Sequence, residues 1–595
     1  VHAAYQYFGE HESWGPLDDL FPDRLAIAGL TRSGISIVNG KPAPTKLPKG
    51  LCFVKSPKGS GKTEALRGLL ADAGSALLIG HRRALIRQSC QRLGLDCYLD
   101  AEGSPTRRFG ICLDSLLRIR APQKYDVVVL DESEQLLAHF LADTLEHSLG
   151  GGGRERLFVE FARLVASAKH VIALDADLGY ATFETINTMR VTGVRPRVPK
   201  KKAAVPAASA EPEPTVRVWL NEAKVANGRV IHVYSSEAHL VAELTQALAD
   251  GKRCFVTSNT KTKIENLSEL IKSQLGDAAK QIVITSDTTA REDVKAFIAD
   301  VKAQTLDYQV VLTSPSLGTG VDITFPDEAQ LVDVVFGFFG PNVNTHLDCD
   351  QQLARVRHPG EVKVWVTPAR FQYETNREVI RQDIIRNSLF KNLLLHYEQD
   401  EPVYRDDPDP FIDMAALIRS EQTASKNSLK NHFLTHKRWQ GWRVVEVQPN
   451  ESLTEAGREL MQLGRYLSQE KLIEELAHAR PIDRAEFCDI QDRIDGDGTV
   501  TGGERWSLQR AKIELFYRQP VSRDLVLLDD RGRYRSRVFR YQYVADPEFS
   551  RLAAAAADIE HKYRFLKTTS EIALAIARLL AMTPLYRDGE FNSMP

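Results

Sequence analysis

The sequence predicts an α/β protein of two parallel-sheet lobes followed by a mainly helical C-terminal accessory region. Short apolar runs rich in β-branched residues alternate with helical stretches, the pattern of parallel strands and crossover helices. The alternation breaks at 195–215, where RPRVPKKKAAVPAASAEPEPT mixes proline, alanine and charge with no apolar period, as a flexible linker does. It resumes, and from residue 371 gives way to charged helical stretches. A chain of 595 residues exceeds one hydrophobic core and accommodates about three or four units.

Residues 1–48 form an N-terminal extension; Val1, with no charged-then-apolar leader after it, reads as a processed boundary. Residues 49–194 form the first lobe, with strands LCFV, ALLIG, DVVVLD and VIALDAD separated by helices such as TEALRGLLADAG and RALIRQSCQRLG. Residues 216–370 form the second lobe, whose strands are RVIHVYSS, RCFVTSN, QIVITSD, QVVLTSP, LVDVVFGFF and EVKVWVTP, with HLVAELTQALAD as one of its helices. Residues 371–595 form the accessory region, with weak strand candidates at WRVVEVQ and DLVLLDD. No short internal repeat is present.

Composition narrows the function classes. The 43% hydrophobic and 26% charged content is that of a globular chain, and no apolar run approaches the roughly 18 residues a spanning helix needs, so no membrane role is expected. A net charge of -2 argues against a uniformly basic nucleic-acid coat, while leaving room for positive charge confined to one groove. The seven cysteines (Cys52, Cys90, Cys97, Cys112, Cys254, Cys349, Cys488) are scattered with no CxxC pair, which reads as buried thiols in a reducing compartment. His346 with Cys349 is the nearest approach to a ligand pair, and no second pair completes it.

Three segments carry the chemistry. In SPKGSGKT, 56–63, between strand LCFVK and helix EALRGLLA, the loop residues Ser56, Gly59, Ser60 and Gly61 wrap phosphate with backbone N–H groups. Lys62 reaches the β and γ phosphates, and Thr63 offers a hydroxyl to Mg2+. Ser56 stands where a first glycine is usual. In VVVLDESE, 127–134, Asp131 holds the metal through water and Glu132 orients or deprotonates the attacking water. An acidic pair at a strand end is also a common helix cap, and Ser133 favours that alternative. In QQLARVR, 351–357, Arg355 and Arg357 lie in the second lobe as arginine fingers able to neutralise charge on a transferred phosphoryl group.

The ordered set SPKGSGKT, HRRALIRQ (81–88), ICLDSLLRI (111–119), VVVLDESE, ALDADL (173–178), SPSLGTGVDI (314–323) and QQLARVR resembles the superfamily 2 helicases with two RecA-like lobes. Within them it is most similar to the herpesvirus origin-binding-protein helicases and related plasmid or phage replication helicases, over roughly residues 50–370. The resemblance implies nucleic-acid backbone contacts by Arg82 and Arg83, by Asp114 and Ser115, by Ser258, Asn259 and Thr260 of FVTSNTKT, and by Ser314. It assigns coupling of hydrolysis to movement to Asp175, Asp177 and Gln351, and a link between nucleotide and strand to Gly320 and Asp322. Glu134 replaces the usual His or Asp, and Ala354 a usual glycine. No glutamine motif precedes the phosphate loop, so ATP follows from the class alone.

The resulting expectation is an ATP- and Mg2+-dependent DNA helicase or translocase moving on single-stranded or forked DNA, in replication of a plasmid, phage or virus. A primase or single-strand-binding protein is an expected partner. The expected location is cytoplasmic or nucleoid-associated, or nuclear for a eukaryotic virus. The alternatives are a defence or restriction translocase without unwinding, and an origin-binding or scaffold protein with a vestigial ATP site. In the accessory region, KNHFLTHKRWQGWRV (430–444) combines Lys437, Arg438 and Arg443 with Trp439 and Trp442, which suits base stacking or, more simply, a packed helix end. DRIDGDGTVTGGE (492–504) has calcium-loop spacing at Asp495, Asp497, Gly498 and Glu504, but Arg493 occupies the first ligand position, so it reads as a turn.

Overall fold

The computed structural model describes residues 34–100, 105–119, 123–142, 145, 153–192, 216–224, 226–276, 279–289, 291–317, 321–386, 394–398, 401–404, 410–495, 500–546, 586–587 and 590–591. The chain divides into two compact units, one of Val1–Leu141, Arg154–Asn376 and Asp413–Gly464, the other of Ala142–Gly153, Arg377–Ile412 and Arg465–Pro595. The predicted linker lies outside the described residues.

The first unit holds both lobes. Its first sheet comprises β1 (Ile35–Val38), β2 (Gly50–Lys55), β3 (Ala76–Gly80), β4 (Asp96–Cys97), β5 (Arg108–Cys112), β6 (Val127–Asp131), β7 (His170–Asp175) and β8 (Val216–Asn221), in the order β1-β8-β2-β7-β6-β3-β5-β4. All its pairings are parallel. Helices cover both faces of such a sheet, so its central strands are apolar along their whole length: every residue of β3 and β6 is buried.

Two elements differ from the expected boundaries. The extension contributes β1, and β8, placed at the start of the second lobe by its position after the linker, inserts between β1 and β2 of the first sheet. Val218 and Leu220 of β8 are buried there. VRVWLN is not among the expected strands, and its sheet is a long-range choice that local sequence does not encode.

The second sheet starts at β9 (Val230–Tyr234) and continues with β10 (Cys254–Ser258), β11 (Gln281–Ile284), β12 (Val310–Thr313), β13 (Val334–Phe339) and β14 (Glu361–Val366). Strands β15 (Leu394–Glu398) and β16 (Glu401–Tyr404) form a separate antiparallel hairpin in the second unit. Then β17 (Arg443–Glu446), within the expected WRVVEVQ strand, returns to pair with β9, giving the order β11-β12-β10-β13-β14-β9-β17. The helix Pro410–Asn427 from Asp413 onward and the helix Leu429–Trp439 therefore belong with the lobes, and Leu429, Phe433 and Leu434 join the core formed by Phe255, Val335 and Phe339.

The second unit is mainly helical, as expected. Leu476, Ile513, Leu525 and Val526 form one small core, and Ile490, Val500 and Leu508 another. DLVLLDD is a helix, Arg523–Asp529, not a strand: the Ser522 hydroxyl caps it by accepting from the Leu525 N–H. In the calcium-like segment, Asp497 and Gly498 lie outside the described residues. Glu504 closes a capping box with Thr501 and takes a 2.6 Å ion pair from Arg493, so this carboxylate is already engaged. Among the described residues no helix is long and apolar enough to cross a membrane.

Candidate functional site

Because β2, β7 and β6 are adjacent and parallel, their C-terminal ends bring the loops 56–61, 132 and 176–179 to one edge of the first sheet, where α/β proteins bind ligands. The register aligns Lys55 with Asp175, and the Ser56 N–H donates to the Asp175 carbonyl at 3.1 Å. The loop turns through Gly59 and Gly61 in left-handed conformation (φ 77 and 83), with open space where a Cβ would stand. The helix Lys62–Leu70 follows, so its first-turn N–H groups lack intrahelical acceptors and face the cleft. Ser56 and Ser60 share a 2.9 Å hydroxyl bond, and Asn221 of β8 donates to Ser56 at 2.8 Å, so the serine in place of glycine is a fixed hinge of the loop.

A cavity of about 400 Å³ opens above this loop. Its first-lobe wall carries Lys58 to Thr63, Asp131, Glu132 and Asp175; its second-lobe wall carries Asp322, Gln351, Arg355 and Arg357. The three segments picked out by sequence thus meet at one cavity between the lobes.

The first-lobe wall is electrostatically frustrated. Lys62 donates to the Ser56 carbonyl at 2.6 Å, and burial lowers its affinity for a proton against the attraction of Asp175, Asp177, Asp131 and Glu132. Burial raises Asp131, with Lys62 opposing. Glu132 is pushed up to about 8 by burial and then by Asp131 and Asp175, and its Oε2 is buried without a hydrogen-bond partner. Glu132 occupies the N-cap position of the helix Ser133–His139 in left-handed conformation (φ 51), yet its side chain makes no cap bond. The cap reading of the acidic pair is therefore not what holds it. Buried carboxylates whose ionisation is opposed, beside an open phosphate-type cradle, are a donor set that a divalent cation would fit.

Of the expected coupling residues, Asp175 accepts from the Glu134 and Asp177 N–H groups at 3.0 and 2.9 Å, and Glu134 accepts from Gly179 at 2.7 Å. These bonds tie the ends of β6 and β7 together. Gln351 accepts from Gln135, a direct side-chain link between the lobes. Arg355 is buried and donates to the Leu317 carbonyl; Arg357 pairs with Asp322 at 3.2 Å. Burial and the neighbouring Arg82 press Arg355 toward lower proton affinity, with Glu132 acting the other way.

The expected backbone-contact residues stand at the ends of several strands and helices. Arg82 is the N-cap residue of the helix Arg83–Leu93 and feels Glu132 and Asp348; the Arg83 side chain and Gly320 lie outside the described residues. Asp114 accepts or shares a 2.6 Å bond with His139, and Ser115 is half-buried beside it. Asn259 exchanges two bonds with the backbone of Gly340, so its amide holds the end of β13. Ser258 accepts from the Thr260 N–H, and Ser314 donates to Ser316.

Sequence reasoning missed a buried polar cluster beside the cavity. Lys58 lies 2.6 Å from Asp350 and 3.0 Å from Asp177; Asp350 also takes Lys437 at 2.5 Å and Gln440 at 3.0 Å. His436 stands 3.6 Å from both aspartates. Asp177, Asp350 and His436 are close enough to share a metal ion, but the Lys58 ammonium sits on both carboxylates and supplies the positive charge. Asp350, immediately before Gln351, was the available signal. The tryptophans nearby pack instead of presenting open faces: Lys55 and Lys224 flank Trp439, while Arg229 and Lys437 lie over Trp442.

Residues 27–194, the first lobe with its approach, match the family described as origin of replication binding protein. This chain resembles the herpesvirus origin-binding-protein helicases of superfamily 2. The replication origin-binding protein of human herpesvirus 6A is 28% identical over 29% of this chain and 21% of that protein. A putative helicase/primase complex protein of African swine fever virus is 21% identical over 68% of this chain and 35% of that protein. The chain spans about a third or less of the length of the curated relatives it matches. Among solved structures, Mss116p bound to ssRNA and AMP-PNP aligns over 88% of this chain and 96% of that chain at 11% identity, with a TM-score of 0.38. The origin-binding-protein match ends where the linker begins, so it covers the phosphate loop and acidic pair and not the arginine pair.

Proposed function

We propose that this chain is an ATP-dependent DNA helicase or translocase acting in replication of a plasmid, phage or virus. The observation that carries the reading is the two-walled cavity: phosphate loop and acidic pair on one lobe, Arg355 and Arg357 on the other. Such a site is complete only while the lobes are together, so turnover and lobe movement are linked. Origin-binding and helicase/primase relatives support the replication setting.

In this reading Gly59, Gly61 and the first turn of the helix Lys62–Leu70 bind the phosphates, and Lys62 leaves its carbonyl partner to reach them. Thr63 and Asp131 would hold Mg2+, which would neutralise charge on the phosphate oxygens. Glu132 orients the attacking water and takes its proton. Arg355 and Arg357 neutralise charge on the transferred group. Arg82, Arg83, Asp114, Ser115, Ser258, Thr260 and Ser314 meet the strand backbone; Asn259, already committed to Gly340, shapes that surface from behind. Asp175, Asp177 and Gln351 relay the state of the site. Backbone contacts do not read sequence, so loading specificity comes from elsewhere in the protein or from partners, with a primase or single-strand-binding protein as candidate replication partners.

Lys62→Ala and Glu132→Gln are each expected to abolish strand-stimulated ATP hydrolysis while circular dichroism stays unchanged; normal turnover in either folded variant rules the site out. A forked-duplex unwinding assay with tails of both polarities separates a helicase from a translocase that hydrolyses without strand separation.

A further inference from the structure

The buried cluster joins three parts of the chain that sequence order keeps apart. Lys58 belongs to the phosphate loop and Asp177 to the loop after β7, both in the first lobe. Asp350 lies in the helix His346–Leu353 of the second lobe, one turn before Arg355. Lys437, His436 and Gln440 come from the helix Leu429–Trp439 and its end, which follows the strands β9–β14 in sequence and packs into the core of the second lobe. Lys58, Asp177, Asp350, His436 and Lys437 are all nearly or fully buried, with side-chain exposures of 14% or less. Two lysines against two aspartates balance in charge, so removing one member leaves an uncompensated ion in the interior.

The same helix is fastened at both ends. The ammonium groups of Lys55, on β2, and Lys224, after β8, lie 5.3 and 4.6 Å from the centre of the Trp439 ring, and the Trp439 carbonyl accepts from Lys224 at 2.6 Å. On the other side, Ser425, at the end of the preceding helix, bonds both the backbone N–H and Nδ1 of His346, at 2.9 and 2.8 Å. His346 stacks on His432 with ring centroids 5.4 Å apart. After the helix, β17 closes the open edge of β9.

Resting on the function proposed above, we infer that the helix Leu429–Trp439 is a strap completing the motor, in which Lys437 positions Asp350, and Asp350 positions Lys58 of the phosphate loop. Lys437, Asp350 and Lys58 are positioning residues: they set the spacing between the phosphate loop and the helix that leads into Arg355, without themselves touching the reacting atoms. An ion pair from the second lobe to the phosphate loop holds the lobes in register, and Lys437 keeps Asp350 charged and aimed.

The test uses the full chain with Lys437→Met and, as a variant that leaves the buried cluster intact and removes only the outer tie to Trp439, Lys224→Met. Hydrogen exchange without nucleotide is the first readout. In both variants exchange is expected to rise in 56–62 of the first lobe and in 346–355 of the second, more in Lys437→Met, while β3 keeps its protection. A rise confined to 429–440 overturns the proposal, because a locally structural helix would show only that. The second readout is kinetic: strand-stimulated kcat falls about tenfold in Lys437→Met, while affinity for a fluorescent ATP analogue stays within about twofold. Equal loss of both, or of neither, overturns it. If the unaltered protein turns over no ATP, the motor reading fails on its own, and the exchange pattern still decides the strap.

Discussion

At the residue scale the acidic pair is the point of greatest consequence. Glu132 ends a fully apolar strand, so folding draws it into a low-dielectric site beside Asp131, and both effects favour its protonated form. Its proton affinity moves from the usual 4.5 up to about 8 in the folded chain. Below 4.5 the carboxyl is protonated whether the chain is folded or not, and it does not affect stability. Between 4.5 and about 8 the unfolded chain ionises first, so the folded state loses stability as pH rises, and above that the loss is complete. Glu132→Gln therefore matches the unaltered protein in thermal midpoint at the acid end and exceeds it increasingly toward pH 8, measured without nucleotide or metal. A difference that does not grow with pH would show that Glu132 is not held protonated by its surroundings. The same residue illustrates what sequence conveys: the acidic pair was legible, whereas the absence of a cap bond from Glu132 is a fact of the left-handed backbone at that position.

At the scale of elements, the helix Glu451–His478 begins against the second lobe through two glycines. A Cβ on Gly457 would stand 1.9 Å from the Ala238 carbonyl oxygen, and one on Gly464 would stand 2.7 Å from that of Asn266. Glycine inside an open helix costs about 1 kcal/mol relative to alanine, so Gly→Ala usually stabilises. Here the backbone approach decides the sign, since forcing an atom into a packed interface costs about 1–3 kcal/mol or more. Gly457→Ala is expected to lower the unfolding midpoint, and Gly68→Ala, on an exposed helix face with nothing within 4 Å of the added atom, to raise it. If calorimetry shows both variants stabilised, the close approach is wrong. The central strands are readable as continuous apolar runs because every residue of β3 and β6 is buried. DLVLLDD misled, since Leu525 and Val526 are adjacent in a helix whose burial is set by Leu476 and Ile513.

At the scale of the molecule, the second lobe does not end where its strand-helix alternation ends. β17 pairs with β9, and Leu429, Phe433 and Leu434 fill the core under the second sheet. A chain stopped at Asn376 would leave the β9 edge unpaired and that core open, both of which promote association. Such a fragment is expected to aggregate, whereas a chain carried past Gly464 should run as a discrete species by size exclusion with light scattering. A well-behaved shorter fragment would show that the strap and β17 are dispensable to the lobe.

What the sequence determined by itself was the chemistry of each segment and the class of each element, because phosphate loops, acidic strand ends and apolar periods are local in the chain. It also established that two α/β lobes exist, since the proline-rich break separates two series of strands. The tertiary structure alone decided which sheet takes β8, that β17 belongs to the second lobe, and that Lys58, Asp177, Asp350 and Lys437 meet in one buried cluster. Those are pairings between residues up to hundreds of positions apart. They are chosen by the burial of whole faces and the balance of buried charge, quantities that no short stretch of sequence contains.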